Sequence, residues 1–168
     1  MANPNHVTGK HYEAIGALIA TWSSFEAQMA LAVIALSGTT KQAGMLMTVN
    51  MNTQALINNL RHLARLKAPN IAGEIDKIID GDDQNRGLRK IYPVRNLFAH
   101  ATFGRGSKEG FIKPLAARLR EDMEVQEGEF DADGILKYAK LIQERVLRLR
   151  NLLEENDYGF DQVPVDPG

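Results

Sequence analysis

A chain of 168 residues, 44% hydrophobic and 24% charged, has the size and composition of one globular domain rather than of a disordered or fibrous protein. It contains no cysteine, which excludes disulfides, zinc–thiolate centres and cysteine nucleophiles. The net charge of −1 is unevenly spread: residues 86–120 hold nine basic side chains against one acid, Glu109, while residues 121–130 hold five acids and no base.

The first helix is predicted over residues 11–37. Ile15, Leu18, Trp22, Phe25, Met29, Val33 and Leu36 recur at steps of three and four, the spacing of one buried stripe, and Gly38 follows as a left-handed C-cap. Thr39 and Gln42 have capping-box spacing and open a second predicted helix. Its stripe is Leu46, Val49, Thr53, Leu56, Leu60 and Leu63, ending before Pro69. Two helices of about 25 residues, nearly 40 Å at 1.5 Å per residue, joined by a short turn, pack antiparallel.

Ile71, Ile75, Ile78 and Ile79 continue the pattern, followed by a polar stretch where the helix either breaks near Gly81, the favoured reading, or runs on with a polar collar. It resumes with Leu88, Ile91, Val94 and Phe98, disturbed by Pro93, whose ring clashes with the carbonyl of Arg89. Past Gly104 and Gly106 the helical period disappears. Two short strands are predicted over residues 111–120 and 123–130, with Pro114 weakening the first. Asp131 is an N-cap for the last helix, with Phe130 and Ile135 spaced as a hydrophobic staple. Ile135, Ala139, Ile142, Val146, Leu149 and Leu153 form its stripe. The sum is an all-α fold: an up-and-down four-helix bundle with a short β-hairpin-like insert before the last helix. It makes one domain over residues 1–157, followed by a flexible or loosely docked tail, 158–168. No uninterrupted apolar run reaches the roughly 18 residues of a membrane span, and the first residues lack the basic start and apolar stretch of a secretion signal. The expected address is cytoplasmic, away from membranes.

The segment Val94-Arg95-Asn96-Leu97-Phe98-Ala99-His100 carries the most chemistry. Asn96 and His100 stand one turn apart on one helix face, and the long side chain of Arg95 must curl to join them. An imidazole near its reference pKa of about 6.5 gives and takes protons at cellular pH. A guanidinium is a permanently charged fork matched to phosphate oxygens. Together these are the parts needed to cleave RNA without a metal: one group activates the ribose 2′-hydroxyl and a cation stabilises the crowded phosphorus. The structural alternative has His100 interacting with the helix C-terminal dipole and Asn96 pairing with it.

Arg95-Asn96-Leu97-Phe98-Ala99-His100 resembles the signature of the HEPN superfamily (higher eukaryotes and prokaryotes nucleotide-binding), an Arg and a His separated by four to six residues with a polar residue after the Arg. The opening Ile15-Gly16-Ala17-Leu18-Ile19 and Trp22-Ser23-Ser24-Phe25-Glu26 is similar to the first helix of many bacterial members. The resemblance implies a homodimer in which two motifs meet across a two-fold axis. It also implies metal-independent endoribonuclease activity in toxin–antitoxin, abortive-infection or antiviral systems. Arg95 and His100 would then be catalytic and Asn96 would orient or bind, with RNA or a nucleotide as ligand, an antitoxin protein as a further partner and no cofactor. The superfamily also contains members that only bind nucleotides or proteins, so a non-catalytic binding module is the alternative.

Arg89, Lys90, Arg105 and Lys108 are the candidate RNA-binding cations around the motif, on a basic run that is either a polyanion footprint or a solvated face balanced by its acidic neighbour. Gly104-Arg105-Gly106 lacks the Gly-Lys-Ser/Thr ending of a phosphate loop. Glu26, one turn after Trp22, is either an exposed glutamate or a buried one that needs a partner such as Arg95. His6, His11 and His62 have no metal-ligand spacing and read as incidental. Met45, Met47 and Met51 read as core or dimer packing, or as an adaptable binding surface. The bases of the last helix, Lys137, Lys140, Arg145, Arg148 and Arg150, read as solvated surface.

Overall fold

The computed structural model describes residues 7–82, 87–116 and 128–165. Their order is α1 (Gly9–Ser37), α2 (Lys41–Thr48), α3 (Thr53–Lys67), α4 (Pro69–Asp80), α5 (Leu88–His100), β1 (Thr102–Arg105), β2 (Ile112–Ala116), α6 (Ala132–Glu154) and a 3-10 turn, Phe160–Gln162. The chain is mostly helical, with one two-stranded antiparallel sheet before the last helix. Two compact units divide it: residues 1–22 with 89–143, and residues 23–88 with 144–168.

The stripe expected on α1 is buried from Leu18 to Leu36, with Leu18, Trp22, Phe25 and Met29 all inaccessible; at its start Ala14 is buried and Ile15 only half-buried, and Gly38 closes the helix at φ 71°. By length and composition alone α1 could also cross a membrane: it contains an 18-residue window of mean hydropathy 1.4, although no uninterrupted apolar run.

In the first unit, Trp22 stacks on Tyr92 of α5 with centroids 5.6 Å apart. β2 falls inside the first expected strand, but its partner β1 lies upstream of both expected segments. β1 and β2 match Phe103 with Pro114 and Arg105 with Ile112, and the register shifts between Thr102 and Phe103. Phe130 bridges the other edge of β2 through a reciprocal pair of bonds with Ile112, 2.9 and 2.8 Å. Alternation along a strand sends the nitrogen of Pro114 to that same edge, and a proline nitrogen carries no proton to continue the pairing there. Residues 117–127 of the two expected strands, with the turn at 120–122, lie outside the described residues. Gly104 is where a Cβ would come within 2.8 Å of the Leu115 side chain, so a larger residue would push the ribbon apart. Asp131 caps α6 as expected, accepting from Gly134 N at 2.8 Å.

The second unit corrects the long second helix. The stripe period runs through residues 46–63, yet the helix breaks between Thr48 and Thr53 because Asn52 starts a new one, its side chain accepting from Ala55 N at 2.9 Å. The cap of α2 falls one residue later than the expected Thr39–Gln42 box. Thr40 occupies the N-cap of α2 without a side-chain cap bond, and the first amide, Lys41 N, donates instead to the Pro164 carbonyl at 2.9 Å. Leu46 and Val49, expected in the buried stripe, are 78% and 71% exposed. Gly44 and Thr48 face inward in their place. Arg61 ties α3 to α4 through Asp76 and Asp80 at 2.6 and 2.7 Å. α4 ends at Gly81, φ 90°, where the sequence predicts the break. In the described part of the expected tail, Tyr158 donates to the Lys67 carbonyl at 2.8 Å, Val163 is buried, and Lys41 lies over the Phe160 ring at 4.8 Å.

Candidate functional site

The motif occupies the last two turns of α5, which runs through Pro93 without ending. Proline has no proton to give the Arg89 carbonyl, so one rung of the helix is missing just before the motif begins. Val94, Leu97 and Phe98 face the core, and Phe98 packs on Phe103 and Phe130 with centroids 5.3 and 5.0 Å away. These aromatics fix the end of α5 against the ribbon, which leaves the polar members of the motif on the remaining faces.

Asn96 is buried at 8% exposure, and its Oδ1 accepts from Arg95 Nη1 at 2.9 Å. The guanidinium has curled toward the Asn96 face, as the helical angles require. Its Nε is buried without a hydrogen-bond partner. His100 is exposed in the last turn, and among the described residues no hydrogen bond joins it to Asn96. The asparagine therefore holds the cation rather than the imidazole, and among the described residues no side-chain bond orients the His100 ring.

Arg89 and Lys90 are exposed on α5, and Arg105 and Lys108 on the ribbon and its loop. All four belong to the same unit as the motif. The loop is braced from two sides. Ser107 donates through its hydroxyl to Glu129 at 2.7 Å and through its backbone N–H to the same carboxylate. These bonds, with Lys113 and Lys108 nearby, hold the Glu129 carboxyl below its ordinary range. One member of the acidic run is thus turned onto the basic loop, which is the balancing role considered for it. The second brace is His11. It is buried, with Nδ1 beside the Thr8 hydroxyl at 2.8 Å and accepting from Thr8 N at 3.3 Å, while Nε2 meets the Gly110 carbonyl at 3.0 Å. The carbonyl can only accept, so Nε2 carries the proton.

His11 is therefore no incidental residue. Thr8-x-x-His11 has capping-box spacing, with an imidazole where Glu or Gln is usual, and that spacing was legible in the chain. Arg145 is the second correction: it is 6% exposed, not solvated surface, and its Nε lacks a partner. It follows Ile142 by three residues and precedes Leu149 by four, so it competes with Val146 for the same stripe. Glu26 accepts from the hydroxyl of Thr53; it and Arg95 belong to different units. Among the described residues no group of three or more His, Asp or Glu side chains could hold a metal ion.

No family model, curated protein or solved structure matches the chain.

Proposed function

We propose that this chain is a HEPN-like endoribonuclease that cleaves RNA without a metal, working in the cytoplasm as a homodimer within a toxin–antitoxin or antiviral system. The observation that carries the reading is the Arg95–Asn96 hydrogen bond, which aims a half-buried cation along the face that ends at the exposed His100. On this reading the six helices form four arms of an up-and-down bundle: α1, α2 with α3, α4 with α5, and α6. His100 takes the proton of a ribose 2′-hydroxyl, and the resulting oxygen attacks the adjacent phosphorus. The bond to the 5′-oxygen breaks, leaving a 2′,3′-cyclic phosphate and a 5′-hydroxyl that takes up a proton. Arg95 stabilises the charge on the phosphoryl oxygens. Arg89, Lys90, Arg105 and Lys108 hold flanking phosphates.

A second reading is favoured by one feature: Asn96 is bonded to Arg95, not to His100, which suits a phosphate-binding fork better than a tuned base. That protein would bind RNA, a nucleotide or an acidic partner without turnover, and its affinity would fall steeply with salt.

The deciding experiment is RNA cleavage in EDTA by the native protein, by His100→Ala and by Arg95→Ala with His100→Ala. Cyclic phosphate ends from the native protein and no product from either variant are expected. Cleavage that survives the double change refutes the proposal, and salt-sensitive binding without any product selects the second reading.

A further inference from the structure

A loop at the tip of a ribbon is ordinarily left to the solvent. The loop between β1 and β2 is instead tied at almost every position. Gly106 N donates to the Phe111 carbonyl at 2.8 Å, and Phe111 N to the Lys108 carbonyl at 3.2 Å, closing a tight turn with Gly110 at φ 79°. Ser107 is held by Glu129 through its amide and its hydroxyl. The Gly110 carbonyl accepts the Nε2 proton of His11 at 3.0 Å, from a residue 99 positions away along the chain. The backbone bonds alone close the turn. The two long-range braces fix where the turn lies, and Lys108 stands between them, its Nζ 6.0 Å over the Phe111 ring.

His11 is suited to anchor the loop because its own ring is fixed. It is buried in the first turn of α1, and its Nδ1 accepts the Thr8 N–H that a helix start leaves unpaired. The cap therefore sets the tautomer and turns the remaining donor toward the loop. A glutamate at this position would make the usual capping box and have no proton for Gly110. The imidazole does both, so the departure from the usual cap residue is explained by the loop and not by the helix. A loop ordered before its ligand arrives is spared the cost of ordering on binding.

We propose that His11 is a positioning residue for RNA: it touches no ligand, and it holds Lys108 where a backbone phosphate meets it. The inference rests on the ribonuclease reading for its ligand and on the loop geometry for its residue.

Binding of a single-stranded 2′-O-methyl RNA, which has no 2′-hydroxyl to attack, is measured against salt for full-length native protein, His11→Met, Lys108→Ala and both changes together. Methionine fills the buried site without a ring nitrogen. Each single change is expected to lower the log–log salt slope by about 0.7, one phosphate contact on a single strand, or about fivefold in Kd at roughly 0.1 M salt. The double variant should be no weaker than either single one, whereas Lys90→Ala on α5 should cost the same with and without His11→Met. His11→Gln, whose amide both accepts from Thr8 N and donates to Gly110, should restore native binding. Circular dichroism checks folding, and His11→Leu repeats the cycle should the methionine variant fail to fold. Additive losses from His11→Met and Lys108→Ala overturn the proposal and leave the ribonuclease reading standing. Native affinity in His11→Met does the same, as does a His11→Gln that binds no better than His11→Met. A native protein that binds no RNA even at low salt overturns both.

Discussion

Gly44→Ala should destabilise the protein, although the same change in an ordinary helix stabilises it. Two opposed quantities decide the sign. Alanine gains about 1 kcal/mol over glycine in a helix interior through backbone entropy. Against this, the new methyl would lie 2.6 and 2.8 Å from the two γ-carbons of Ile34 and 3.1 Å from its Cβ. Ile34 is buried and β-branched, with one strongly preferred rotamer in a helix, so it cannot swing aside. Overpacking of this kind costs roughly 1–3 kcal/mol, which leaves a net loss on the order of 1 kcal/mol. For a domain of this length that lowers the melting temperature by about 2–4 °C. Ile34→Ala alone should cost roughly 2–5 kcal/mol through the cavity it opens. In that background Gly44→Ala meets a methyl instead of a branched chain and should stabilise. A double-mutant cycle by thermal melts measures this reversal of sign. If Gly44→Ala stabilises the native background by the full helix increment, α2 is not seated on α1 as described.

Arg145→Met should stabilise the protein: a buried N–H without a partner costs about 1–3 kcal/mol, and methionine keeps the length and apolar stem of the side chain. A rise in melting temperature is expected, and a fall would mean that the guanidinium has a compensating partner in solution. Acid should release the loop brace at Glu129. Its carboxyl is held below the ordinary glutamate value of 4.5 by the two Ser107 bonds, so the brace is complete above that value and is lost as pH falls through the depressed one. The Ser107 amide resonance should follow that titration, and a midpoint at or above 4.5 would refute the assignment.

The sequence made α1, the break at Gly81 and the Asp131 cap legible because each rests on a local, strongly directional signal: a long stripe, a glycine at positive φ, a side-chain oxygen one step before a helix. It misread residues 39–63 because periodicity does not say which way a face points. Leu46 and Val49 continue the stripe of α3 in number, but Asn52 restarts the helix and turns them outward. Strand β1 escapes the sequence because Gly104 and Gly106 read as a loop, whereas Gly104 is a strand residue that makes room for Leu115. In the site, the types of Arg95, Asn96 and His100 were legible, but the partner of Asn96 was not: a carboxamide can serve either neighbour, and only the curl of the arginine decides between them. Arg145 was hidden because charge is taken as a sign of exposure, although its spacing placed it on the stripe.

The two arginines with a buried, unpartnered Nε invite opposite conclusions, and the difference lies in what surrounds them. Arg145 stands in an apolar stripe, where its buried Nε meets no acceptor and an apolar side chain of the same length would fill the same space. Arg95 is oriented by a buried asparagine at the end of a helix, one turn from an exposed imidazole and in one unit with exposed cations on α5 and the ribbon. One of its five N–H groups is spent on Asn96 and another is left unsatisfied, a state that folding alone does not favour. That Nε is buried, so a phosphate oxygen would accept from it and the neighbouring terminal nitrogen only once the guanidinium turned outward. The helix supplies the position and Asn96 the orientation, and on the proposed reading an anion would complete the site by drawing that donor out.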